Sequence, residues 1–431
     1  MSFKSFLSRH SVGVGTTTTT GRLAGVNTVT GELTFDVDED VFYGYHGDDF
    51  GWVGLNTVTK QEVTSSSGKL MAGVESTIKF VVTGQFTQGD VTVNFNGGGV
   101  NQDVTGIITA SDGTAGIVTT TTAVHNNISS GDTIAIKVDQ APSFNLTVVT
   151  AATGGSITTY VDGNARYRSH TFTSSGSFVV SPTMPVSADY LIIAGGGGGG
   201  NANGGGGGGG AGGMRTATAV TLSGATYPVT VGTGGAGTGA NSNSQGTDGV
   251  DSTFNSVTST GGGGGGGDAN RTGRDGGSGG GAARTGNNSG GSGTSGQGNN
   301  GGNSSPGGNA GGGGGGKGNA GGGASNVNGG DGGDGANNAF ANGSNVLYAG
   351  GGGGGIENNG TTGGAAGPGG GCAGGFQANS NVTPTVAGNG TDGKGGGGGG
   401  SADSLNNVQT DKAGDGGDGL VVVRYRTDTA N

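Results

Sequence analysis

The 431-residue chain has one cysteine, four histidines, seven prolines and one tryptophan, and only 5% of it is aromatic. Each shortage closes a class of explanation. Cys372 has no partner within the chain, so neither a disulfide framework nor a cysteine metal cluster can hold the fold. The histidines, His10, His46, His125 and His170, all lie outside the most glycine-rich region, which excludes nucleophile–histidine–acid catalysis there. Cations are scarce: 18 Lys plus Arg against 29 Asp plus Glu give a net charge of −11. No basic field is left to collect a nucleic acid. No apolar run approaches the roughly 18 residues of a membrane span, and the amino terminus lacks the apolar core and cleavage site of an export signal, so membrane insertion is not expected. Glu357 is the one glutamate of the carboxy-terminal half, which leaves a glycan-cleaving carboxylate pair without candidates.

What the chain has instead is glycine: 114 residues, about a quarter of the total against a usual share of about 7%. The distribution is uneven, with 24 in residues 1–180 and 90 in residues 181–431. The first part reads as β structure in pieces. Residues 1–15 form an irregular leader. Residues 16–56 form a small β module with patches at Leu33, Phe35, Val41, Phe42 and Tyr45. Residues 57–160 form an immunoglobulin-like β-sandwich with strands expected at 76–83, 90–95, 105–110, 115–121, 132–138 and 144–149, and with no helix. Residues 161–431 form a glycine-rich domain with strands between 169 and 259 and at 420–426.

Within that last domain, apolar strands lead straight into polyglycine: Ala188–Ala194 into Gly195–Gly200, Ser256–Thr260 into Gly261–Gly267, and Asn345–Ala349 into Gly350–Gly355. Further runs occupy Gly204–Gly210, Gly311–Gly316 and Gly395–Gly400. Such runs read as flexible linker on composition alone. Their near-equal length, their recurrence and the strands that feed them favour order instead. The ordered form is an extended threefold helix of the polyproline II type, in which only glycine lets neighbours approach closely enough to share main-chain hydrogen bonds. Asn-, Asp-, Ser- and Thr-rich segments between runs supply the returns. Between Asn255 and Gly419 the aromatic residues are Phe340, Tyr348 and Phe376, too few to order 195–419 through an apolar core.

Several local strings mimic functional motifs. Gly311–Gly316 followed by Lys317 and Gly318 has glycine where a phosphate loop needs Ser or Thr, and chance G-x-G-x-x-G matches carry nothing in this composition. The strings around Asp331 and Asp334, and around Asp415 and Asp418, lack the nine-residue period of calcium-binding rolls; isolated calcium and solvated turns are the two readings. The acidic segment Asp36 to Asp40, with Asp48 and Asp49, reads as a solvated hairpin face, with cation binding as its alternative.

The block SHTFTSSGSFVVSPTMPVSADYLIIAGGGGGG, then GGMRTATAVTLSGATYPVTVGTGG, then the terminal GGDGLVVVRYR, resembles the glycine-rich domain common in bacteriophage tail-fibre and other virion proteins, over roughly Arg168–Arg426. The resemblance implies an all-β protein: N-terminal β modules including a small β-sandwich, then a C-terminal β-sandwich with an inserted polyglycine II helix bundle at 195–419. It further implies a non-enzymatic virion protein, a tail fibre or receptor-binding adhesin assembled in the host cytoplasm, without cofactor or metal. Its partners would be other virion proteins, met through the leader with Phe3, Phe6 and Leu7 as attachment candidates, and a host cell-surface glycan or protein. Large side chains are rare among the loops, which makes Arg271, Arg274, Phe340, Ile356, Glu357, Phe376 and Gln377 the receptor-contact candidates; local packing is the competing reading for the two phenylalanines. A homotrimer and a bundle closed within one chain both fit. The rival functions are a non-adhesive decoration or neck-fibre protein of the same virion and an ice-binding protein.

Overall fold

In the computed structural model, the described residues are 75–83 and 88–427 without 110–114, 126, 129–131, 140–142, 148–150, 164, 183–184, 241, 358–360, 378–384 and 404–411, together with Leu70 and the backbones of five strands between 14 and 67. The leader candidates Phe3, Phe6 and Leu7 lie outside them. The chain divides into two compact units, residues 1–149 and 150–431.

The first unit holds a four-stranded sheet of β1 (Val14–Thr17), β2 (Leu33–Asp36), β3 (Val41–Tyr45) and β4 (Trp52–Thr57), in that order. A second sheet contains β5 (Glu62–Ser67), β6 (Thr77–Thr83), β7 (Gly89–Gly97), β8 (Val100–Ile108), β9 (Ala115–Thr119), β10 (Thr133–Val138) and β11 (Phe144–Thr147). These strands form one antiparallel sheet in the order β11-β10-β7-β8-β9-β6-β5, which corrects the expectation of two facing sheets. Alternate residues such as Ile78, Phe80, Val93, Phe95, Ile134 and Ile136 converge on a single core, as the period of two in strands requires. Gly98 and Gly99, both at positive φ, make the two-residue turn between β7 and β8. A one-turn helix, α1 (Thr122–His125), adds Val124 to the core where no helix was expected.

In the second unit, β12 (Ala152–Thr153), β15 (Gly176–Val180), β19 (Thr226–Thr230), β20 (Ser252–Phe254) and β21 (Val257–Ser259) form one antiparallel sheet. The other contains β13 (Ser156–Asp162), β14 (Ala165–Phe172), β25 (Leu420–Arg426), β16 (Val186–Ile193) and β18 (Met214–Leu222), in that order. Because β12 and β13 pair within these sheets, the boundary falls at 149/150 and not at 160/161. The expected single strand 169–180 is two strands, β14 in one sheet and β15 in the other, and 252–259 is a hairpin turned by Asn255 and Ser256 at positive φ.

Across the two sheets Phe178 meets His170 and Phe254 meets Tyr190 edge-on, with ring centroids 5.0 and 5.7 Å apart, while Tyr425 stacks on His170 at 5.7 Å. On its opposite face the second sheet buries Leu191, Ile193, Leu420 and Val422 against Tyr348 and Ala349. Burial on both faces explains why β16 and β25 read as continuous apolar runs. Short pairs complete the unit: β17 (Gly204–Gly205) with β24 (Ala402–Asp403), and β22 (Ala336–Asn338) with β23 (Val346–Tyr348).

Between the strands the glycine runs traverse a bundle whose hydrogen bonds repeat every third residue. Gly195, Gly198 and Asn201 donate to Val250, Thr247 and Ser244; Gly196 and Gly199 donate to Gly417 and Gly414; Gly197 and Gly200 donate to Gly210 and Gly207, all at 2.8–3.0 Å. Successive residues thus address three different neighbours, whereas a strand would alternate between two sides. Residues 206–213 are the hub. Their N–H groups bond to 395–401, 260–266 and 312–315, and their carbonyls accept from 194–200, 278–281 and 352–355. All eight N–H groups of this run are satisfied by backbone carbonyls, and every residue in it is buried. Most of the polyglycine strings identified in the sequence are therefore the hub or its immediate ring.

Candidate functional site

The part of the bundle open to a partner is its outer layer and the ends of its runs, where residues other than glycine return. Outer runs lack a neighbour on their solvent side and leave main-chain donors facing outward. Side-chain oxygens meet them. Asp418 and Asp415 accept from the N–H groups of Gly234 and Gly237, each at 2.8 Å. Asn389 and Asp392 in turn accept from the N–H groups of Asp415 and Asp418 at 2.9 and 3.1 Å. Asp251 and Asp248 do the same for Gly261 and Gly264, as do Asn303 and Asn300 for Gly290 and Gly293. Each doublet is three residues apart because the main-chain bonds of the runs repeat every third residue. Asp331 accepts from Ala365 N–H at 2.7 Å, and Asp334 accepts from the Asn319 amide at 2.8 Å. The aspartates singled out as calcium candidates thus have main-chain or amide donors of the neighbouring segments as their partners. The doublet spacing was visible in the sequence; its meaning required the three-residue repeat of the main-chain bonds.

At the run ends, isolated bridges join Ala310 to Ile356, Ile356 to Phe376 and Phe376 to Thr385, while β17 pairs with β24. Ile356 is wholly buried, Glu357 is buried next to it in sequence, and Gln377 is buried next to Phe376. Their burial removes these three from the exposed surface, contrary to the expectation of contact residues; Phe376 is half-buried within the same set of bridges.

The two arginine candidates have internal partners. Arg274 makes a bidentate pair with Asp248, at 2.6 and 2.5 Å, and that bond raises its pKa. Arg271 and Arg284 share Asp268, with Nε to Oδ1 distances of 3.3 and 3.1 Å. Burial favours the neutral form of Asp268, but the Arg284 hydrogen bond and the Asn203 N–H outweigh it and hold the carboxyl below its ordinary value. Both arginines remain partly exposed, Arg274 with 45% and Arg271 with 38% of the side chain accessible, so they are the candidates still open to a partner.

Phe340 sits elsewhere, against the sandwich. The Arg424 guanidinium lies over the Tyr167 and Phe340 rings, 4.0 and 4.2 Å from their centroids. It donates to Asp189 at 2.9 Å and to the Tyr160 hydroxyl at 3.0 Å, and Tyr160 donates to the Phe340 carbonyl at 2.8 Å. Phe340 is thereby half of a cation–π clamp that fastens the segment between β22 and β23 to the sheet. The seven contact candidates do not form one site.

Residues 172–426 match the family described as glycine-rich domain, which is more than half of the chain. No curated protein matches the sequence.

Proposed function

The chain belongs to the glycine-rich domain family, and on that premise we propose that it is a non-enzymatic structural protein of a phage virion, a tail fibre or receptor-binding adhesin. In this reading the amino-terminal modules attach to the particle, and the runs of the second unit are polyglycine II helices that hold return loops on a stiff lattice. The observation that carries it is the hub at 206–213, enclosed by six runs through main-chain bonds. Side chains at the turns can change without disturbing a scaffold held by its backbone and by the outer Asp and Asn caps, which suits a surface that must adapt to a host. Loop contacts with a cell-surface glycan or protein would be individually weak and multiplied by copy number.

The burial of Ile356, Glu357 and Gln377 favours a second reading, a decoration or neck-fibre protein of the same virion that binds no receptor. Imaging the intact particle separates the two. The adhesive reading expects the bundle to project from the tail and the purified full chain to reduce adsorption of phage to host cells. A bundle turned into the particle, or full chain without effect on adsorption, would refute it.

A further inference from the structure

Away from the run ends, Met214, Arg215 and Thr216 at the start of β18 line a pocket of about 260 Å³ together with Gly296 and Lys317. Its two cations come from segments about a hundred residues apart and are held by main-chain carbonyls. Arg215 Nη1 donates to Thr258 O at 3.1 Å, and Lys317 Nζ donates to Gly296 O at 2.6 Å. Arg271, Arg274, Arg284 and Arg424 are each in an ion pair, and neither Arg215 nor Lys317 is. In a chain of net charge −11 this is a local excess of positive charge. Burial lowers the Lys317 pKa, the signature of an ammonium partly withdrawn from water without a counter-ion.

The walls are pre-organised. Met214 N–H donates to Gln297 O at 3.1 Å, the Gln297 side chain accepts from Thr260 N–H at 2.8 Å, and Lys317 N–H donates to Ala349 O at 2.9 Å. Buried Met214 supplies an apolar patch, and the Thr216 hydroxyl both donates and accepts. A bare inorganic anion would leave most of the volume to water, since a water takes about 30 Å³.

We propose that this pocket binds a small hydroxylated carboxylate of single-sugar size, such as a uronic acid, with Arg215 and Lys317 as the carboxylate donors. The site goes beyond the virion reading and stands or falls without it, because its test needs neither particle nor host. Full-length protein is titrated calorimetrically with sodium glucuronate, glucose and inorganic phosphate. Saturable glucuronate binding is expected, with glucose inert and phosphate weaker. Arg215→Ala and Lys317→Ala should each weaken glucuronate binding about tenfold, the effect of losing one charge-assisted hydrogen bond, while Lys317→Arg retains most of it. Thermal unfolding of each variant shows whether the fold is intact; both changes are at the surface and should leave it so. Glucuronate binding no tighter than glucose, phosphate binding equal to glucuronate, or wild-type affinity in both folded alanine variants would overturn the proposal.

Discussion

Adding one methyl group at the hub tests the close packing directly. A Cβ built on Gly208 would collide with the Gly352 carbonyl oxygen, with the Gly352 carbonyl carbon at 2.7 Å and the Gly353 oxygen at 2.8 Å. The obstacle is backbone, so no rotamer change relieves it. The run 350–355 would have to withdraw by roughly 1 Å, which strains the bonds from Gly352 N–H to Gly209 O, from Gly355 N–H to Gly206 O and from Gly314 N–H to Gly352 O. Overpacking costs about 1–3 kcal/mol, and three strained buried bonds at about 1 kcal/mol each bring the expected loss for Gly208→Ala to roughly 4–6 kcal/mol. Gly323→Ala is the control. Its Cβ would meet only Asn303 O, at 3.7 Å, and the position is exposed. That change should be neutral, or stabilising by up to about 1 kcal/mol through the unfolded chain. Denaturant unfolding of the full chain, followed by a probe in the second unit, reads the difference. Amide exchange across 195–213 should accelerate in Gly208→Ala and stay slow in Gly323→Ala. Equal stability of the two variants would refute threefold packing through the backbone.

The outer doublets predict a local effect: Asp418→Ala should speed amide exchange at Gly234 and cost about 1 kcal/mol, whereas Asp418→Asn, which keeps an acceptor oxygen, should leave exchange near wild type. Burial pushes the His170 imidazole down to about 4 from 6.5, against the opposing hydrogen bond with Gly154 O. The unfolded chain then binds this proton more readily, so the stability present above pH 6.5 is lost as pH falls towards 4, by about 3 kcal/mol in all. Urea midpoints of His170→Phe should depend less on pH across that window than those of wild type; an unchanged slope would contradict the assignment. Removing Arg424 would leave Asp189 largely buried without its cation, and Arg424→Ala should cost about 3–5 kcal/mol in unfolding experiments. Arg274→Ala, in a pair more than a third exposed, should cost under about 1 kcal/mol.

Most strands of both units were legible because a strand writes its burial into alternation, as in the TIAIKV of β10, or into a continuous apolar run, as in the LVVV of β25. The glycine strings likewise announced that whatever surrounds them comes within main-chain distance, since no other residue tolerates such neighbours. The loop residues were less legible. A large side chain on a polar loop signals recognition or packing equally well, and Ile356, Glu357 and Gln377 took the second course. The pocket around Arg215 and Lys317 left no trace, because its walls are joined only by long-range folding.

The sequence by itself determined that this chain is all-β, that its second part depends on glycine rather than on an apolar core, and which segments form the crowded interior. Which run stands at the hub, that strands between 62 and 147 pair as one sheet and not two, and that Asp-x-x-Asp doublets finish the outer layer were decided only in the tertiary structure. The physical reason is the same for all three. A glycine run carries no side chains to name its neighbour, so the identity of each partner is set by chain path, by register and by the hydrogen bonds left over at the edge.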